Sequence, residues 1–127
     1  MPKTTVYFYR EANGSSPVVE WLNEVRANDR RAYSRCAAAI RQLANSGYEL
    51  RRPAADYLRD GIHELRARVG HVNYRLLDFF HGRNVVVIAH GVTKEESIRP
   101  SDIERAITRM QAFANDPRLH SWMEDLS

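Results

Sequence analysis

A chain of 127 residues and 14.7 kDa is the size of one domain, and its hydrophobic fraction of 43% is enough for a packed core. No apolar run approaches the ~18 residues of a membrane helix, and the N-terminus lacks the apolar core of a signal peptide. The single cysteine, Cys36, excludes an internal disulfide and a multi-cysteine zinc site. We therefore expect a cytoplasmic protein that needs no metal or other cofactor.

Charge is unevenly distributed along the chain. The formal net charge is +3, but residues 26–75 hold 11 Arg and Lys against 5 Asp and Glu. Residues 76–127 hold 6 basic residues against 8 acidic ones. A basic central block favours a polyanionic partner such as nucleic acid.

In chain order, the first predicted elements are one strand and two helices. Alternating β-branched and aromatic residues predict a strand over residues 4–10. Ser16 is a suitable N-cap with Pro17 at the first helical position, and the apolar stripe that follows predicts a short helix. A second stripe of helical period predicts a helix over residues 29–46 and places Cys36 in the core.

The second half of the chain predicts a β-meander followed by a helix. Residues 48–60 are interpreted as a basic connection. Three strands follow, at about residues 62–69, 72–80 and 84–90. Pro100 and a capping box from Ser101 to Glu104 begin the last helix. We expect residues 120–126 to add a short amphipathic turn or helix.

The element order β-α-α-β-β-β-α predicts the α+β class, with a small, mainly antiparallel sheet and the helices packed on one face. We expect residues 1–115 to form the domain and residues 116–127 to be a C-terminal extension of it. No internal repeat or low-complexity segment suggests a second unit.

Strand alternation groups charged side chains on one face of the predicted sheet. In the first meander strand, Glu64, Arg66 and Arg68 share a face, while the residues between them face the helices. Arg75 interrupts an apolar run on the neighbouring strand and is expected on the same face. Guanidinium groups bind phosphate bidentately, so this face is a candidate phosphate-binding site. The alternative is a solvated surface pair of Glu64 and Arg66.

Two further residues extend the candidate site along the last meander strand. His90 ends that strand, and an imidazole with a pKa near neutral suits a general acid or base. Lys94 follows as a cation and proton carrier, or alternatively as an ordinary loop lysine. The other histidines are interpreted as packed, turn or tail residues: His63, His71, His81 and His120.

Four short motifs occur in a fixed order along the chain. They are Leu58-x-x-Gly61-Ile-x-Glu64-Leu65-Arg66, Tyr74-Arg75-Leu-Leu-x-Phe79-Phe80, Val87-Ile-x-His90-Gly91-x-x-Lys94 and Ile103-x-x-Ala106-x-x-Arg109. In this order and spacing the chain resembles the RelE/ParE superfamily of toxin–antitoxin toxins, specifically the phage-derived HigB-like branch. The similarity covers nearly the whole chain.

The resemblance implies a RelE-like fold and a bacterial toxin that acts as a ribosome-dependent mRNA endoribonuclease without a metal. Its partners would be the ribosome, mRNA and a cognate helix-turn-helix antitoxin in a toxin–antitoxin hetero-oligomer, with no membrane involved. Arg66 and Arg75 would clamp phosphate, and Glu64 would orient an arginine or help to move a proton. His90 and Lys94 complete the catalytic candidates. Further RNA contacts are expected from Arg51, Arg52, Arg59 and Arg68.

Another class of function remains open on the same fold. ParE-like relatives inhibit DNA gyrase without cutting RNA, and fold alone does not decide between the two. Glu95 and Glu96 follow Lys94, where many HigB-like relatives carry a second lysine. The alternatives are therefore a non-enzymatic gyrase-inhibiting toxin or a degenerate toxin that serves as a binding module. A general nucleic-acid-binding accessory protein is a third hypothesis.

Overall fold

The computed structural model describes residues 3–50, 54–94 and 97–126. The strands are β1 (Thr5–Tyr9), β2 (Ala55–Arg59), β3 (Ile62–Val69), β4 (Val72–His81), β5 (Val85–Lys94) and β6 (Ser121–Trp122). The helices are α1 (Pro17–Asn28), α2 (Arg30–Ser46) and α3 (Pro100–Asn115), and a 3₁₀ turn spans Gly47–Glu49.

The strands form one six-stranded sheet in the order β2-β3-β4-β5-β1-β6. All neighbours are antiparallel except β1 and β5, which run parallel with Thr5 opposite Val85. The β2–β3 hairpin turns at Asp60 and Gly61, whose φ angles are 54° and 86°. A two-residue hairpin turn of type I′ needs left-handed backbone at both positions, which this pair supplies. The predicted α+β class with a mainly antiparallel sheet is confirmed.

The sheet is covered on both faces, so the prediction that the helices pack on one face is wrong for α3. Helices α1 and α2 pack on one face, in a core cluster that contains Leu65 and Leu76. Helix α3 packs on the other face, where Phe113 and Leu77 belong to a second cluster. The cause is that β4 and β5 carry consecutive buried apolar residues, which strand alternation sends to both faces.

Capping residues set the starts of the helices. Ser16 Oγ accepts a hydrogen bond from the third residue of α1 at 3.4 Å, as the sequence predicts. Helix α3 begins at Pro100, and Asp102 Oδ2 accepts from the backbone N–H of Arg99 at 3.2 Å. The predicted capping box with Ser101 as N-cap is therefore wrong, because the N-cap is Arg99, two residues earlier.

The predicted set lacks the two short strands at the edges of the sheet. Strand β2 lies in the segment interpreted as a basic connection, and it contains no β-branched residue. Strand β6 replaces the turn or helix expected over residues 120–126. His120 is buried and stacks on Tyr9 with ring centroids 5.1 Å apart, and its Nδ1 lies 2.7 Å from Arg10 O. His120 therefore packs against β1, and a role for it in function stays untested.

Helices from both faces of the sheet, α1 and α3, contact the C-terminal half of β5. Trp21 of α1 lies against Gly91, where an added Cβ would overlap the indole ring. From α3, Arg109 Nη1 donates to Ala89 O at 2.7 Å. Pairing of β5 with β1 ends at Ile88 within the described residues. The segment after Ile88 therefore keeps its pairing with β4, while two helices take the place of β1 beside it.

Candidate functional site

Strand register brings together the three charged residues predicted on the meander. Arg66 of β3 lies directly opposite Arg75 of β4, and Glu64 lies opposite Leu77. Leu77 belongs to the core cluster of α3, as does Ile62 on the neighbouring strand. The charged side chains therefore lie on the sheet face that α3 covers, next to the apolar cluster of that face.

Glu64 binds both arginines and is the centre of what we call the arginine cluster: Asp56, Glu64, Arg66 and Arg75. Arg75 Nη1 donates to both carboxylate oxygens of Glu64, each at 3.0 Å. Arg66 Nε donates to Glu64 Oε1, and Arg66 Nη2 donates to Asp56 Oδ2 at 3.2 Å. Two carboxylates and two guanidinium groups leave the cluster without a formal net charge.

Burial differs sharply among the members of the cluster. The Glu64 side chain is 3% exposed, compared with 14% for Arg75 and 32% for Arg66. The hydrogen bond to Glu64 raises the pKa of Arg66, although partial burial acts in the opposite direction. Arg66 is therefore charged and oriented. The alternative of a solvated pair of Glu64 and Arg66 is wrong, because the carboxylate is buried.

Both guanidinium groups keep donors that no carboxylate uses. Among the described residues, no hydrogen bond involves Arg66 Nη1 or Arg75 Nη2, and Arg75 Nε is buried without a partner. A guanidinium carries five N–H donors, so the unused Nη groups can bind an anion while Glu64 holds the other side of each guanidinium. Because the cluster has no formal net charge, it does not attract an anion over a distance.

His90 lies on the same face of the sheet, on β5 opposite Leu77. Its Nε2 is 3.0 Å from Oδ1 of Asp102 in the first turn of α3. Burial lowers the pKa of His90 most, Arg109 and Arg105 lower it further, and the hydrogen bond to Asp102 opposes them. The imidazole is therefore largely neutral at neutral pH and able to accept a proton.

A cleft of about 240 Å³ opens beside His90, between the N-terminal half of α1 and helix α3. His90 and Gly91 line it from the strand, Trp21 from α1, and Arg105 and Arg109 from α3. The cleft lies along the part of β5 that has no β1 partner among the described residues. A ligand group in this cleft would meet an imidazole, an indole and two guanidinium groups.

The remaining predicted residues are spread along the sheet. Arg68 is exposed and lies opposite Asn73, which is also the β4 partner of Lys94. The backbone of Lys94 is thus in the row next to the arginine cluster. Arg59 of β2 lies opposite Ile62, about 20 Å from the row of Arg68 by strand rise. It pairs with two acidic side chains at 2.6 Å each. Outside the described residues lie Arg51, Arg52 and the side chain of Lys94.

The sequence prediction omits three charged residues that touch this region. Asp56 lies on the unpredicted strand β2, so its position next to Arg66 could not be inferred. Asp102 is predicted only as part of a capping box. Arg109 carries no predicted role, yet its guanidinium lies over the Tyr9 ring at 5.5 Å from the centroid. Asp102 and Arg109 are two helical turns apart, so their spacing in the sequence could have placed both on one side of α3.

No group of three or more His, Cys, Asp or Glu side chains within residues 3–50, 54–94 and 97–126 could hold a metal ion. Over the same ranges, none of the helices has the length and hydropathy to cross a bilayer.

The fold and the site define a small α+β protein whose sheet presents an acid-bridged pair of arginines beside a carboxylate-bound histidine. The profile of the family described as Phage derived protein Gp49-like (DUF891) matches residues 20–111. The match spans α1 to α3 and includes every member of the arginine cluster. The chain belongs to this phage-derived family, which is RelE-like and toxin-like. No curated protein matches the sequence.

Proposed function

We propose that the protein is the toxin of a type II toxin–antitoxin system and acts as a ribosome-dependent, metal-independent mRNA endoribonuclease of the HigB-like branch. The observation that carries the proposal is the pair of arginines on adjacent strands, held by one buried carboxylate and facing the same side as His90. Membership of a toxin-like family supports the wider class.

The reaction needs two contributions from the protein, a base and the stabilisation of negative charge. A ribose 2′-OH attacks the adjacent phosphorus atom, a base takes its proton, and the pentacoordinate transition state carries extra negative charge. Arg66 and Arg75 stabilise that charge, and Glu64 positions both guanidinium groups. His90 exchanges the proton, and Lys94 adds a cation at the end of β5.

The neutral arginine cluster predicts how phosphate enters. The ion pair of Arg66 with Asp56 is partly exposed at both partners, so it contributes little stability and is easily exchanged. The contacts to Glu64 are buried at the acid and are expected to persist. A phosphate therefore displaces Asp56 from Arg66 and leaves the framework around Glu64 intact.

The proposed partners follow from the same charges. Ribosomal RNA and mRNA are polyanions, and Arg68 of the basic central block is exposed next to the arginine cluster. A cognate helix-turn-helix antitoxin would neutralise the toxin in a cytoplasmic hetero-oligomer. Contacts to RNA phosphates are expected to weaken steeply with salt.

One observation favours a second candidate, a non-enzymatic toxin that inhibits gyrase or serves as a binding module. The arginine cluster contains as many carboxylates as guanidinium groups, so it can also serve as a structural ion-pair network. In that case the arginines stabilise the sheet, and the toxic surface lies elsewhere.

Inducible expression in a bacterial host, with genome-wide mapping of mRNA 5′ ends, tests the proposal. Arg66→Ala removes a partly exposed guanidinium and leaves Arg75 bound to Glu64, so the fold is expected to survive. Arg83→Ala in an exposed turn is the matched control.

New cuts within translated codons for wild type and the control, but not for Arg66→Ala, are the expected result. Growth arrest with intact mRNA and DNA damage signalling would overturn the proposal in favour of gyrase. Full cleavage by a folded Arg66→Ala variant would overturn the role of the arginine cluster.

A further inference from the structure

Asp102 makes two different hydrogen bonds with its two carboxylate oxygens. Oδ2 accepts from the backbone N–H of Arg99 at 3.2 Å, and Oδ1 lies 3.0 Å from Nε2 of His90. An ionised carboxylate only accepts hydrogen bonds, so the proton of a neutral His90 must be on Nε2. The other ring nitrogen, Nδ1, is then left as a proton acceptor.

We propose that Asp102 is a positioning residue that holds His90 in the Nε2–H form, so that Nδ1 is the general base of the RNA cleavage reaction. This inference rests on the proposed function, and it assigns to α3 a part in the chemistry beyond packing. The histidine is fixed from the helix side, while the cleft beside it remains open to a ribose.

The side chains around His90 fit this role. From α3, Asp102 bonds the ring, and Arg105 and Arg109 lie close enough to lower its pKa further after burial has done so. On the other side of the cleft α1 contributes the carboxylates Glu20 and Glu24. A third carboxylate, that of Glu11, lies 3.6 Å from Arg109 Nη2 and offsets part of its charge.

The proposed step conserves atoms and charge. His90 Nδ1 takes the proton of the 2′-OH, and the 2′-oxygen forms a bond to phosphorus. The bond from phosphorus to the 5′-oxygen breaks, and the 5′-oxygen leaves with the electron pair and takes a proton from water. The products are a 2′,3′-cyclic phosphate and a 5′-hydroxyl, and the imidazolium returns its proton to the hydroxide left in solvent. The positive charge that forms on the ring is stabilised by Asp102.

Asp102→Asn separates the two roles of this side chain. The amide oxygen can still accept from Arg99 N–H, which keeps the helix cap, but the amide nitrogen then offers a donor to His90. When a donor faces Nε2, this nitrogen must accept, which favours the ring form with the proton on Nδ1. Glu104→Gln is the matched control, because it makes the same chemical change one half-turn away and contacts Arg59 instead.

The test combines ¹⁵N spectra of the histidine rings with cleavage of mRNA on purified ribosomes. We expect the Nε2–H form of His90 in wild type and in Glu104→Gln, and a shift toward Nδ1–H in Asp102→Asn. Cleavage by Asp102→Asn is expected to fall by at least about 100-fold, the lower end of the contribution of a positioned base. The acidic limb of its residual pH–rate profile should move to lower pH, because Asp102 opposes the lowering of the His90 pKa.

The wild-type spectrum requires no variant, so a folding defect in Asp102→Asn cannot obscure the result. An Nδ1–H form in wild type would overturn the positioning role. A changed ring form with unchanged cleavage would overturn the role of His90 as base. Absence of cleavage by wild type would instead overturn the proposed function, while the ring form would still report the Asp102 contact.

Discussion

Asp78 is a carboxyl group buried on the sheet face that α1 and α2 cover. The residue is 1% exposed, and its Oδ1 is buried with no hydrogen-bond partner among the described residues. Burial raises the pKa of Asp78 well above its usual value of 3.8. The side chain is therefore protonated in the folded protein over a pH range in which the unfolded chain has it ionised.

The substitution Asp78→Asn removes this titration with little change of shape. Between the unfolded and folded pKa values of Asp78, the folded state binds one proton more than the unfolded state. Wild-type stability therefore falls as pH rises through this window, by about 1.4 kcal/mol per pH unit. The variant has no such loss, so its stability relative to wild type is expected to rise by the same amount per unit.

Urea unfolding of both proteins at about pH 4.5, 5.5 and 6.5 measures this difference. His63 lies opposite Asp78 in the sheet and is the same residue in both proteins. Asp60→Asn in the exposed hairpin turn is the control, since its left-handed backbone accepts Asn and its carboxylate is in solvent. A difference between Asp78→Asn and wild type that does not change with pH would refute the reasoning.

Three further outcomes are expected from contacts in the structure. Gly91→Ala should destabilise the protein by about 1–3 kcal/mol in thermal unfolding, because the added Cβ overlaps Trp21; a Tm equal to wild type would contradict this contact. Glu64→Gln should cost about 3 kcal/mol in urea unfolding, since Arg75 loses its buried counter-charge; a loss under 1 kcal/mol would show the pair to be solvated. The Cys36 thiol is buried with its pKa raised to about 12, so native protein should resist a thiol reagent at about pH 8; rapid modification would show that α2 opens.

Strong local signals predicted most of the fold. The start of α1 was predicted from Ser16 and Pro17, and α2 from the apolar stripe through Cys36. The β3–β4 turn was predicted from Gly70. At these positions residue propensity, capping and periodicity all favour the same element. Strand β2 was missed because an edge strand needs few apolar residues, even though Asp60-Gly61 is itself a hairpin signal. The position of α3 on the opposite face could have been inferred from Leu76 and Leu77, which are adjacent and both fully buried.

The candidate site was predictable only where it depends on alternation within a strand. Period-two spacing places Glu64 and Arg66 on one face, and the short turn brings Arg75 opposite. The contact of His90 with Asp102 depends on how α3 crosses the sheet, and no local pattern encodes a helix position. Burial of Glu64 is likewise a tertiary property. The sequence alone therefore could not distinguish a buried carboxylate from one in a solvated surface pair with Arg66.

The parallel pairing of β1 with β5 affects how the chain can fold during synthesis. Thr5 leaves the ribosome early, but its partner Val85 follows only after two helices and three strands have been made. Strand β6, the other neighbour of β1, comes still later. Contacts of such large sequence separation form late and slowly. An incomplete nascent chain therefore cannot assemble the complete sheet. Translation that stops before β5 would release a product that lacks His90 and Lys94.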